Sequence, residues 1–173
     1  MGKKKGPPSI DNALPDTERE RDIDPDIYNG IARCAELMGV QMIESSFNIL
    51  PAFFESEDEG KLGIDVVEVS SSFDEPNRVA TCIFEFENFK KKGRRKVFTV
   101  KDKFIVFYHI PADCDEFHAV AFARRVGVIA CYPYFRSHVA TTASLANAEM
   151  PILPTLAKMP VRQKEVKKEK SDE

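Results

Sequence analysis

Residues 127–161, GVIACYPYFRSHVATTASLANAEMPILPTLAKMPV, narrow the folds open to this chain more than any other stretch. The helical period that feeds it begins at Asp115. Phe117, Val120, Ala121 and Val128 fall on one side, and Phe122, Val126 and Ile129 lie beside them. Apart from Arg124 and Arg125 nearly the whole circumference is apolar, which a surface helix is not. Pro133 must kink this helix or begin a new one, because an interior proline costs roughly 3 kcal/mol in a regular helix. The second half carries Phe135, Val139 and Thr142 and ends near Asn147. Met150 to Val161 holds prolines at 151, 154 and 160, so it is extended or irregular and not a central strand. These groups bury surface and offer little to a reaction near pH 7. The segment points to packing, assembly or the binding of other apolar chains.

Upstream the period differs. Asp26 to Met38 reads as a short helix, capped by Asp24 or Asp26, with Ile27, Ile31 and Cys34 on one side and Gly39 as its stop. From Val40 the spacing becomes even: Ile43, Phe47 and Ile49 precede Pro51 and suggest a first strand. After an acidic loop at 56–60, Leu62, Ile64 and Val66 alternate with Gly63 and Asp65 in a second strand that runs to Phe73. Asp74–Asn77 is a turn. Ala80, Cys82, Phe84 and Phe86 then share one face, with Thr81, Glu85 and Glu87 on the other. A basic tip, Lys90–Lys96, has Gly93 placed for a hairpin, and a fourth strand follows from Val97 to Ile110. Its run Phe104–Tyr108 is apolar on both faces, as expected of a strand covered on both sides. Few helices are available to cover a four-stranded sheet twice, so a partner subunit or a bound polypeptide would cover the other face. The expected class is α+β: a short helix, four antiparallel strands, then a kinked helix and an apolar extended segment.

At 173 residues the chain is long enough for one domain with a real core. We expect a disordered arm over 1–25, a folded domain over 26–161 and a charged flexible tail over 162–173. Hydrophobic residues at 43% and charged residues at 31% describe a soluble mixture. Lys3–Lys5 are followed by no apolar signal region, and no apolar run approaches the ~18–20 residues of a membrane span. Cys34, Cys82, Cys114 and Cys131 are scattered, so they read as reduced thiols of a cytoplasmic protein.

Catalytic patterns are weak. Asp113, Cys114 and His118 offer a cysteine and a base four residues apart, but a buried thiol and an ordinary histidine explain them equally. Cys131 and His138 are about 10 Å apart along a helix and cannot pair directly. His109, His118 and His138 have no metal-ligand spacing, and no glycine-rich phosphate loop is present. The chain reads as a non-enzyme without cofactor or metal. The cations of Lys90–Lys96, flanked by Phe89 and Phe98, suit a nucleic-acid partner. A solvated, aggregation-resistant hairpin end is the commoner use of such a run.

Ile129–Arg136 (IACYPYFR), followed by Met150–Leu156 (MPILPTL) and closing on Met159-Pro-Val161, resembles the SecB-like chaperones, above all the branch that accompanies bacterial toxin–antitoxin pairs. That resemblance implies a four-stranded antiparallel sheet with helices, a dimer of dimers, and grooves beside the sheet that hold unfolded polypeptide without ATP. Mapped by element, it implies client binding at Ile64, Val66, Phe104, Val106, Tyr108, Ile152, Leu153 and Leu156, about half of which are also explained as ordinary core. It implies assembly contacts at Tyr132, Tyr134 and Phe135. Export-type SecB carries a further C-terminal helix where this sequence has a charged run, and it lacks the helix expected here before the first strand. Both departures favour a toxin–antitoxin-associated or a solitary SecB-like protein, with an antitoxin as the expected client of the former, over an export chaperone that delivers preproteins to the translocation machinery.

Overall fold

The computed structural model describes residues 23–55, 60–111, 113–155 and 161–163. The expected arm up to residue 22, the acidic loop over 56–59, Leu156 and the tail beyond Gln163 lie outside them. Helix α1 spans Pro25–Cys34, and Asp24 supplies its cap: the carboxylate accepts hydrogen bonds from the Asp26 and Ile27 amides. Pro25 opens the helix, where a missing N–H is harmless. The helix ends four residues before the expected Met38. Glu36–Ile49 is already strand β1, and Gly39 lies at a bulge within it and not at a helix stop. Tertiary pairing decides this, since Glu36 and Leu37 pair with His109 and Tyr108.

Strands β2 (Lys61–Asp74), β3 (Val79–Lys92) and β4 (Arg95–His109) complete an antiparallel meander in the order β1-β4-β3-β2. The Asp74 carboxylate accepts from the Asn77 amide and side chain at the β2–β3 turn. Gly93, with φ at +60°, allows the tight β3–β4 connection. Burial alternates along β3 from Val79 to Asn88 and along β4 from Phe98 to His109. Ala80, Cys82, Phe84 and Phe86 are fully buried, together with Phe104, Val106 and Tyr108 opposite them. The other face carries Ile83, Ile105 and Phe107, half-buried, then a charge ladder joining Glu44, Lys103, Glu85 and Lys101, and a Glu87–Lys96 pair.

Helix α2 runs from Glu116 to Leu145 as one element straight through Pro133, so no new helix begins there. Pro133 and Ile129 both lie on the exposed side, where water can reach the carbonyl that the proline leaves without a donor. The helix covers one sheet face: the Phe135 ring packs tilted on Phe86 at 5.2 Å, and Phe122 meets Tyr108 edge to face at 5.4 Å. Helix α1 docks on its first half through Tyr28, 5.9 Å from Phe122, and buried Ile31. At its end Asn147 takes a left-handed φ of 49° and the Ala148 amide reaches back to Ala143 at 2.9 Å, closing the last turn.

Asp115 caps α2 by accepting from the His118 amide at 2.9 Å, and its hydrogen bonds with His118 hold the carboxyl below its ordinary range. A depressed carboxyl contributes stability above its unfolded pKa that is lost as pH falls through the folded one. Asp115→Ala is therefore expected to lower stability by about 0.5–2 kcal/mol at pH 7. Urea melts at decreasing pH should show that difference shrinking through the acid range; a difference that grows would contradict this role.

Four antiparallel strands match the expected sheet, and a fifth short strand, β5 (Val161–Gln163), joins it. It lies parallel to β2, beside Val66–Glu68, in residues that the sequence divides between an irregular segment and a charged tail.

Candidate polypeptide-binding groove

Where the sheet runs out beyond β2, the chain leaving α2 folds back along it. Pro151 and Pro154 lack the N–H that a ladder needs, so Met150–Pro154 lies beside β2 as extended backbone without becoming a strand. Three anchors hold it. Ala148 closes the helix end, buried Leu153 packs into the core, and the Tyr132 hydroxyl donates to the Pro154 carbonyl. Between this segment and β2 lies a cavity of about 380 Å³, lined by Leu62, Gly63, Ile64, Asn88 and Met150–Pro154. A second hollow of about 200 Å³ opens on the α2 side of the same segment, against Val139, Ala140 and Ala143.

The larger cavity is apolar apart from Asn88. That side chain is buried, donates to the Gly63 carbonyl at 3.2 Å, and has no partner for its Oδ1 among the described residues. No lining residue titrates, so the site is suited to burying apolar side chains and not to proton transfer. Ile152 stands 76% exposed at its rim and Leu62 49% exposed on the opposite wall. On the opposite face of the sheet Gly63 leaves room for the Phe89 ring, which a Cβ there would meet at 2.3 Å.

The structure brings together Ile64, Ile152 and Leu153 of the residues assigned to client binding, and Leu156 lies outside the described residues. It corrects four others. Val66, Phe104, Val106 and Tyr108 are buried beneath α2 and present no surface to a partner. Their face of the sheet is the one the helix takes, a choice that an alternating pattern leaves open. Leu62, Asn88 and Met150 were not assigned. The alternation placing Ile64 and Val66 together already includes Leu62, whereas no sequence signal marks Asn88. Of the assembly residues, Tyr134 is exposed, while Tyr132 and Phe135 are buried within the chain.

The alternative sites do not assemble. His118 Nε2 accepts from the Asp24 amide at 3.1 Å, so Nδ1 carries the hydrogen given to Asp115 at 2.7 Å, and neither nitrogen is directed to Cys114. Burial pushes the Cys114 thiol up, away from thiolate character, and raises Cys131 to about 12. His138 pairs with Asp102 on β4, not with Cys131. In the basic tip, Lys90 lies over Phe53, Lys91 and Lys96 lie over Phe89, and Lys92 donates to the Ala52 and Phe53 carbonyls. These four lysines make local contacts, whereas Arg94 and Arg95 stay exposed at the tip. No described helix is long and apolar enough to cross a membrane.

No protein-family model matches this sequence, and no curated protein matches it. Among solved structures the fold is similar to that of the SecB-like chaperone Rv1957 of Mycobacterium tuberculosis, determined in complex with a ChAD peptide from the HigA1 antitoxin. The identity is 14% and the TM-score 0.61, with 78% of this chain and 99% of that one covered. The short helix, four-stranded antiparallel sheet and long helix described here are thus a SecB-like fold.

Proposed function

We propose that this chain is an ATP-independent holdase that captures extended, aggregation-prone polypeptide in the groove between β2 and Met150–Pro154. The apolar groove, open at Leu62 and Ile152 and without a titratable lining residue, carries this reading. The likeness to a SecB-like chaperone solved with an antitoxin peptide makes an antitoxin the client of choice. Affinity comes from burying client side chains at ~25 cal/mol per Å². Assembly as a dimer of dimers in the cytoplasm is part of the proposal: it would cover the apolar side chains exposed on β1 (Leu37, Met42, Phe47) and on α2 (Ile129, Tyr134). A large apolar patch on a lone subunit would otherwise invite aggregation.

The test is suppression of light scattering by an unfolded protein, without nucleotide, at near-stoichiometric ratio. Ile64→Asp with Ile152→Asp should weaken capture by about 10–100-fold, the equivalent of losing one well-buried aliphatic contact, while the circular dichroism spectrum stays that of the parent. Leu153 is unsuitable for this purpose because it is itself core. Undiminished capture by a folded double variant would remove the groove from the mechanism.

A further inference from the structure

Strand β2 is 14 residues long, yet β5 covers its outer edge only along Val66–Glu68. Beside Leu62–Ile64, the groove wall, no strand is paired on that edge among the described residues. Strand β5 pairs at Val66–Glu68, further along β2 in the same direction from the groove-lining Leu62–Ile64, so it sits on the track that begins in the groove. An extended polypeptide filling the groove and continuing along β2 meets Val161 opposite Val66.

Two properties make this contact exchangeable. It is three residues long, and parallel pairing is slightly less stable per residue than antiparallel. It also demonstrates what the edge accepts. The backbone groups of Val66–Glu68 already hold an extended strand running parallel to β2, and sheet edges take up foreign strands through the same main-chain bonds. An unfilled edge invites aggregation, so a weak internal strand protects it while remaining displaceable.

We propose that β5 is an internal competitor for the client site: an extended client strand adds along β2 from Leu62 through Glu68, parallel to it, only when Val161–Gln163 leaves. This rests on the groove being a polypeptide site, and it adds a regulation of that site.

The probe is fluorescently labelled carboxymethylated α-lactalbumin, a permanently unfolded protein, titrated with three forms of the chain. One is the parent, one ends after Pro160, and one carries V67C and R162C, positions opposed in the β2–β5 register. Ending the chain at Pro160 is expected to tighten binding by about tenfold, the factor for a site otherwise open about a tenth of the time. Oxidising V67C/R162C should lock β5 in place and weaken binding by a similar factor, with recovery on adding dithiothreitol. Because the locked form retains every residue, it reports even if the shortened chain folds poorly. Equal affinity for the parent, shortened and locked forms overturns the competitor while leaving capture by the groove standing. No binding by any form overturns both readings.

Discussion

Replacing His138 with leucine is expected to lower stability at pH 7 by about 1–3 kcal/mol, the usual result of leaving a buried polar group without its hydrogen-bond partner. Asp102 is fully buried on β4 beneath α2, and its Oδ2 receives His138 Nδ1 at 2.8 Å. Its Oδ1 has no partner among the described residues, so this one contact carries the compensation for the whole carboxylate. Thr142, one turn further along α2, lies 3.3 Å from His138 Nε2 and fixes the ring from behind. With leucine at 138 the buried Asp102 side chain keeps no hydrogen-bond partner among the described residues. The pair should behave as a unit. Asp102→Leu with His138→Leu together ought to be far milder than His138→Leu alone, because apolar replacement of both partners removes the desolvation penalty as well. Urea unfolding of the parent, both single variants and the double variant measures this. A loss below about 1 kcal/mol for His138→Leu would mean that the His138 contact does not offset the burial of Asp102.

Gly127→Leu should be at least as severe, and Gly127→Ala milder. Gly127 is where α2 comes closest to the sheet: a Cβ there would meet the Phe84 ring at 2.7 Å and Val106 Cγ1 at 3.0 Å. Neither neighbour has room to yield, since Phe84 and Val106 are fully buried and Phe84 packs against Phe86. Alanine gains up to about 1 kcal/mol in helix propensity over glycine, which offsets part of an overpacking cost of about 1–3 kcal/mol. Leucine gains the same propensity but brings four carbons into that space, so the helix must lift off Phe84 and Val106. The expected order of melting temperature is parent, then Ala, then Leu, with the leucine variant at least 3 kcal/mol below the parent on the scale of severe core overpacking. A leucine variant as stable as the parent would show that the helix has slack the geometry does not indicate.

How far the sequence reached differs from element to element. Alternation along Ala80–Phe86 and the apolar run Phe104–Tyr108 placed β3 and β4 correctly, because a strand with one face in the core must repeat every two residues. The helical period after Asp115 announced the long helix α2, although its apolar outer side at Ile129 and Tyr134 stays exposed in this chain, and Asp24 and Asp115 cap the two helices. Met38 went to the wrong element because Cys34 and Met38 extend a helical spacing, whereas pairing with β4 outweighs a local preference of a few tenths of a kcal/mol per residue. The groove was half legible. Prolines 151 and 154 marked an extended apolar segment, and Ile64 and Ile152 were assigned to it. Val66, Phe104, Val106 and Tyr108 were assigned too, yet they became core.

By itself the sequence determined the class of fold, the run of strands before a long apolar helix, and the proline-spaced segment that cannot join a ladder. These follow from local chemistry: period, caps, and the missing N–H of proline. Only the tertiary structure decided which sheet face α2 covers, and hence which apolar residues remain for a partner. It alone joined Asp102 to His138, 36 positions away, brought Gly127 against Phe84, and set β5 beside β2. Each of these is a contact between elements distant in the chain. Such contacts are chosen by the packing of whole surfaces, and no residue pattern within one element encodes its partner.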